Sequence, residues 1–319
     1  MAVTALQHQL DTRADKLPTV LVQMFDDFSP IWQILPFESN GDSMFYDYEQ
    51  VQTLPSSGWR AFNTGYVESS GATVAYREYL KTLGGEAKWD IQFANPKTIK
   101  KQTMMKVLSQ VKAWDLAFLK GSPISDSNSM VGLYPRISGG QLITNASGGG
   151  ALTLAKLNEL RSAVPFSPVK EEGMKAGEGI DVFMLMRRSV RDKIDALMEA
   201  QTGSLRIEVD KDSFGRRVEK FRGATLKIIE ERGTGNSTLN YDEDPGDGTA
   251  DCTSILCFAT GEGLLRGLFR TQNGGKMLDT KKVDHLEAEP RGMIRFEGMY
   301  GIAADEPRCM ARLQAVTNA

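Results

Sequence analysis

Apolar residues recur every three or four positions along one stretch of the chain: Met104, Val107, Leu108, Val111, Trp114 and Phe118. This single stripe predicts a helix over 95–121, with Asn95 as its cap, Pro96 at its first position and Gly121 as its stop. Lys100, Lys101, Lys106, Lys112 and Lys120 occupy other positions. At 1.5 Å per residue such a helix is roughly 35 Å long and needs a sheet or other helices laid along it. Far downstream, Ile294, Phe296, Tyr300 and Ile302 alternate with Arg295, Glu297 and Met299. That period of two predicts a long strand with one apolar face, the best candidate partner for the stripe. If the two pack together, residues 150–275 are an insertion between the halves of another unit.

Between and before these elements the pattern changes. Residues 1–20 are polar, with a weak helical pattern through Leu6, Leu10 and Leu17. Residues 21–37 are richly apolar and broken by Pro30 and Pro36, which predicts a short helix, a turn and an extended piece. Extended runs follow at Ser43–Gln52, with Met44, Tyr46 and Tyr48 on one side, at Thr73–Leu80 and, after Gly84-Gly85, at Glu86–Phe93. A turn-rich stretch with two aromatics, Trp59 and Phe62, separates the first two. Such a two-stranded excursion cannot bury its own faces. It packs on another subunit or, as the plainer alternative, on the chain's own core.

Residues 122–150 read as a Gly- and Ser-rich loop. Thr153 is placed to cap a helix carrying Leu154, Leu157, Leu160 and Val164. A buried strand is expected over Gly179–Met186, then a helix from about Ser189 with Val190, Ile194, Leu197 and Met198 on one face. Leu205–Val209, Ala224–Glu230 and Ser254–Ala259 read as further strands, giving a compact α+β unit.

The composition allows a large core and offers little catalytic chemistry. Of 319 residues, 41% are hydrophobic, and the net charge of −3 leaves no general basic footprint for nucleic acid. No apolar run is long enough to span a membrane, and the N-terminus lacks a signal pattern, so a soluble intracellular chain is expected. Two histidines, His8 and His285, make a His-based triad or zinc site a poor fit. Cys252, Cys257 and Cys309 suit a reducing compartment, with Cys252 and Cys257 read as buried core thiols. Gly261-Glu-Gly263 lacks the spacing of a dinucleotide loop, and Gly274-Gly275-Lys276 lacks that of a phosphate loop. Asp242, Asp244, Asp247 and Asp251 form the one carboxylate cluster worth weighing, as a cation site or as a solvated loop. No cofactor is expected. A good core, a projecting arm and no assembled active site argue for assembly.

The order of parts resembles the major capsid protein of tailed bacteriophages, the Hong Kong 97 fold, from about Leu21 to Val316. The resemblance rests on the polar N-terminal arm and the loop Leu54-Pro-Ser-Ser-Gly-Trp-Arg-Ala-Phe-Asn63. It continues through the long helix ending in Leu119-Lys-Gly121, Met130-Val-Gly-Leu133, and the helix with Leu154, Leu157 and Leu160. It ends with Phe221-Arg-Gly-Ala-Thr-Leu-Lys-Ile-Ile229, Arg295-Phe-Glu-Gly-Met-Tyr-Gly-Ile-Ala303 and the closing Arg308–Val316.

The resemblance implies an α+β chain divided into an N-terminal arm (1–38), an extended β-loop (39–92) and a peripheral domain in two parts (93–149 and 276–319). That domain holds a long spine helix on a β-sheet, and an axial domain (150–275) is inserted in it. It implies self-assembly into hexamers and pentamers of an icosahedral shell, located in the virion and assembled in the host cytoplasm. The shell would enclose double-stranded DNA without sequence-specific binding. Other expected partners are a portal, a decoration protein and, with no long helical segment before the arm, a separate scaffolding protein. Trp59, Arg60 and Phe62 at the loop tip are the candidate inter-subunit anchors, since aromatics and Arg dominate interface cores; the alternative is that they fill an intrachain pocket. Two other functions stay open: a bacterial nanocompartment shell, marked by an apolar groove beside the arm, and a metal-dependent hydrolase using Asp242, Asp244 and Asp247.

Overall fold

The computed structural model describes residues 29–92, 95–168, 179–200, 208–211, 217–230, 238–261, 263–271, 277–283 and 290–318. Of the expected arm, 1–38, residues 1–28 lie outside them, while Ile31, Trp32, Ile34 and Leu35 form a buried turn leading into strand β1, Phe37–Ser39.

Helix α1 spans Pro96–Lys120. The Asn95 carbonyl accepts the Ile99 N–H, and Gly121 closes the other end onto the Ala117 carbonyl. Val107, Val111, Trp114 and Phe118 are buried, Met104 and Leu108 half-buried, and Lys101, Lys106 and Lys112 exposed, as the stripe requires. The helix reaches the expected C-terminal strand, β13 (Arg291–Ala304), where Gln110 donates to the Phe296 carbonyl at 3.3 Å, and Ile294, Phe296, Tyr300 and Ile302 of that strand are buried. Burying a large apolar side chain contributes roughly 1.5–3 kcal/mol, so this helix–strand seam is a main source of stability.

A second strand shares that role. The run expected in the excursion after Gly84-Gly85 is instead β4, Lys81–Asp90, which pairs antiparallel with β13 from Lys81–Tyr300 to Asp90–Arg291. The two glycines are not a turn but flat strand, with Gly85 seating α1 and Gly84 pressed against β13. A Cβ on Gly85 would lie 2.7 Å from Lys106 Cε, and one on Gly84 would lie 2.8 Å from Glu297 Cβ. The excursion is therefore the hairpin of β2 (Phe45–Thr53) and β3 (Ala72–Tyr79), a two-stranded sheet of its own.

Between α1 and the large sheet the chain is less loop-like than expected, carrying helix α2 (Leu133–Arg136) and strand β5 (Leu142–Thr144). Thr153 Oγ1 accepts the Lys156 N–H and caps α3 (Leu154–Ala163), which buries Leu157 and Leu160. Strand β6 (Asp181–Met186) leads into α4 (Arg188–Ala200), with Val190, Ile194 and Met198 buried. Then come β7 (Glu208–Lys211), β8 (Arg217–Phe221), β9 (Ala224–Ile228), β10 (Cys252–Thr260), β11 (Leu265–Phe269), β12 (Asp279–Val283) and, after β13, β14 (Met310–Thr317).

The large sheet has twelve strands, ordered β12-β13-β11-β10-β6-β9-β8-β7, with β4 beside β13, β14 beside β10, β5 beside β14 and β1 beside β11. Every residue of β10 is buried, because β6 and β14 flank it antiparallel and both its faces are covered. Cys252, Cys257 and Cys309 are buried thiols, as expected of the first two. No helix among the described residues is long and apolar enough to cross a membrane.

Candidate assembly surface

The hairpin is anchored at its base by polar groups. Arg136 on α2 pairs with Glu78 at 2.7 Å and donates to the carbonyls of Val131 and Ile302. The Tyr48 hydroxyl donates to the same Glu78 carboxylate, while Tyr48 stacks on Tyr76 across the strands. Burial, then the Glu78 charge, pushes the Tyr48 hydroxyl up to about 12. Arg266 ties Tyr46, Asp305 and Glu38 together, and Gln50 donates to the Ala304 carbonyl. Tyr46 and Tyr48 thus face the body as expected, whereas Met44 stays exposed.

Beyond this base, none of the described residues covers the hairpin. Arg77 pairs bidentately with Asp47 at 2.6 and 2.8 Å, and its guanidinium lies 4.4 Å from the Phe45 ring centroid, all at the surface. At the tip, Trp59 and Phe62 have relative exposures of 105% and 99%, so neither fills a pocket of its own chain. Leu54, Tyr66 and Val67 are exposed beside them. Arg60 donates to the Thr64 carbonyl at 3.1 Å and lies 5.3 Å from the Tyr66 centroid. An apolar patch of this kind marks an interaction site.

A groove opens on the body beside the C-terminal half of α1, with a volume of about 490 Å³. Its walls include Leu83, Trp114, Leu116, Ala117, Met130 and Tyr300. The Ser122–Met130 loop closes over the helix end because Gly121 and Gly132 touch there. A Cβ on Gly121 would lie 2.5 Å from the Met130 carbonyl oxygen, and one on Gly132 would lie 2.7 Å from the Gly121 nitrogen.

The acidic loop is engaged elsewhere. Asp242 pairs with Lys120 at 2.9 Å. Asp244 accepts the N–H groups of Gly246 and Gly248, and Asp247 accepts that of Thr249. Glu243 accepts from Tyr134 at 2.6 Å, from Arg312 at 2.8 Å and from Ser254, fastening the loop to α2, β10 and β14. Arg312 also lies 3.6 Å from the Tyr134 ring centroid. Among the described residues no three His, Cys, Asp or Glu side chains are placed to hold a metal ion. Asp242, Asp244, Asp247 and Asp251 stand out in the sequence, whereas Glu243, the carboxylate that anchors the loop, takes its partners from three other segments.

A second missed group is Asp115, buried on α1, which accepts the Ser29 hydroxyl at 2.5 Å. Ser29 in turn accepts the Trp32 N–H. Burial pushes the Asp115 carboxyl up to about 7, against the opposing pull of the Ser29 bond. Its position was readable, since a carboxylate four residues after Val111 and three before Phe118 falls on the apolar stripe.

No family profile and no curated protein matches the sequence. Solved structures do match in fold. The holo-SrpI encapsulin complex of Synechococcus elongatus PCC 7942 aligns at a TM-score of 0.63 and 16% identity, over 92% of this chain and 89% of that one. A chain of Microbacterium phage Oxtober96 aligns at 0.61 and 12% identity, over 91% of each. The capsid of an empty GTA particle, computed with C5 symmetry, aligns at 0.58 and 12% identity, over 91% and 90%. The chain has the Hong Kong 97-type capsid fold.

Proposed function

We propose that this chain is the major capsid protein of a tailed phage, assembling as hexamers and pentamers into an icosahedral shell around double-stranded DNA. The observation that carries this is a capsid fold running over about nine-tenths of the chain and exposing aromatic residues at the end of an anchored hairpin. In that role α1 with β4 and β13 is the core of the peripheral domain, 150–275 the axial domain and the hairpin the loop laid across a neighbour. Trp59, Arg60 and Phe62 are its anchors. The chain carries no catalysis, resides in the virion, and works with a separate scaffold, a portal and a decoration protein. Its net charge of −3 suits a wall that holds DNA without gripping it.

The likeness to an encapsulin favours a second reading, a nanocompartment shell enclosing protein. Electron microscopy of the purified chain, with light scattering, tests both. Closed particles or rings are expected. Nuclease-protected DNA in particles recovered from the native source supports the capsid, and enclosed protein without DNA supports the nanocompartment. A chain that stays monomeric with scaffold supplied overturns both.

A further inference from the structure

We propose that the groove between α1 and the Ser122–Met130 loop receives the hairpin tip of a second copy of this chain, Trp59 and Phe62 entering it and Arg60 meeting Asp126. This rests on the shell role proposed above and assigns the receptor that role requires.

Two observations converge. The first is fit: the groove's 490 Å³ lies within the range of about 300–1,000 Å³ typical of built binding sites, and its walls are mostly apolar. Trp59 and Phe62 are apolar groups with no pocket of their own. The second is charge. The groove's lysines are already engaged, Lys81 with the Ser127 carbonyl at 2.8 Å and Lys120 with Asp242 at 2.9 Å. Asp126, exposed at the rim, accepts the Asn128 N–H and has no cationic partner among the described residues. Arg60 is the tip's one cation and has no carboxylate partner among them.

The occupant must be another copy. Strand β3 ends at Tyr79, next to Lys81 in the groove wall, and its 8 residues at ~3.3 Å each hold the tip roughly 25 Å from its own groove. A tip-to-groove contact is head-to-tail, the kind that closes into rings.

The test introduces Phe62→Cys and Leu116→Cys together into the full chain and treats assembled particles with a short bis-maleimide. The native cysteines are buried, with thiols pushed up to about 11–12 by burial first, and stay out of the reaction. A covalent ladder of oligomers from the pair, and none from either single variant, is expected. Closed particles without the ladder overturn this proposal and leave the shell role standing. An unsubstituted chain with no assembled state at any concentration overturns the shell role and this proposal with it. Charge exchange gives an independent reading on two exposed residues. Arg60→Asp and Asp126→Arg should each raise the concentration needed for assembly about tenfold, and the double variant should restore it. Failure to restore overturns the pairing. A groove cysteine protected only in protein-loaded particles, with the tip cysteine freely reactive, overturns it in favour of a cargo segment.

Discussion

The seam between α1 and β13 and the β2–β3 hairpin are written in the same alphabet, yet they end differently. β13 alternates apolar and polar residues, finds α1 on its apolar face, and buries Ile294, Phe296, Tyr300 and Ile302. β2 also alternates aromatic and polar residues, but it meets the body only near its base, where Tyr46 and Tyr48 join Glu78, Arg136 and Arg266 and Gln50 donates to the Ala304 carbonyl. Past Val51 none of the described residues covers the hairpin. One region is held by area removed from water and the other by a few charged contacts at its root. The seam is complete within one chain, whereas the hairpin requires a second. Substitutions in the two should therefore report on different things.

The largest effect belongs to the seam. Phe296→Ala deletes a fully buried ring beneath α1. It should destabilise the subunit by about 3–5 kcal/mol, read as a lower denaturant midpoint at unchanged slope. A loss under 1 kcal/mol would mean the seam is not the main store of stability and would erase the contrast.

That seam was legible because both of its elements announce themselves by period: 3.6 in α1, two in β13. The buried face of α4 was legible for the same reason, and the start of α3 was legible from its Thr153 cap. What was not legible depends on contacts between distant segments. Gly84-Gly85 looks locally like a turn, and only the descent of α1 onto β4 makes it a flat strand seat. Glu243 was passed over beside three aspartates because Tyr134, Ser254 and Arg312 are spread along the chain. The exposure of Trp59 and Phe62 could be suspected from composition, but not the groove, since Leu83, Trp114, Met130 and Tyr300 share no local pattern.

Within the seam's own helix, Asp115 is the exception that sharpens the comparison. Its carboxyl titrates near 7 in the folded chain against an ordinary 3.8, so between those values the folded state binds the extra proton. Stability from this group is therefore full below about pH 4 and lost as pH rises through 7. Asp115→Asn keeps an acceptor for the Ser29 hydroxyl and carries no charge. It should raise stability by ~4 kcal/mol at pH 8 and change little at pH 4. Thermal melts at the two pH values check it. Equal gains at both would mean that the buried charge is not the cause.

A smaller and more local effect is expected at the hairpin's root. Glu78→Ala leaves the Arg136 guanidinium, whose side chain is 11% exposed, without its carboxylate, and frees the Tyr48 hydroxyl. The loss should be about 2 kcal/mol, less than in a fully buried pair because water reaches the site. Hydrogen exchange should show it confined to the hairpin: faster in β2 and β3, unchanged in β13. Equal acceleration in both strands would show the hairpin and the seam unfolding as one unit.

The smallest effect on the isolated subunit should come from the residues that matter most to assembly. Trp59→Ala with Phe62→Ala removes two rings that touch no core, so unfolding of the monomer should shift by less than about 0.5 kcal/mol. Apolar area leaves the surface, so the variant should also be more soluble. Mixed with scaffold, the same variant should fail to close particles, because each subunit of a shell repeats the missing contact and the loss multiplies around every ring. The pair of measurements matters more than either alone. A destabilised monomer would place the tip within its own chain's fold after all, and normal assembly would move the adhesive surface elsewhere. A silent monomer that cannot assemble is the result that distinguishes a hairpin built for a neighbour from one built for its own core.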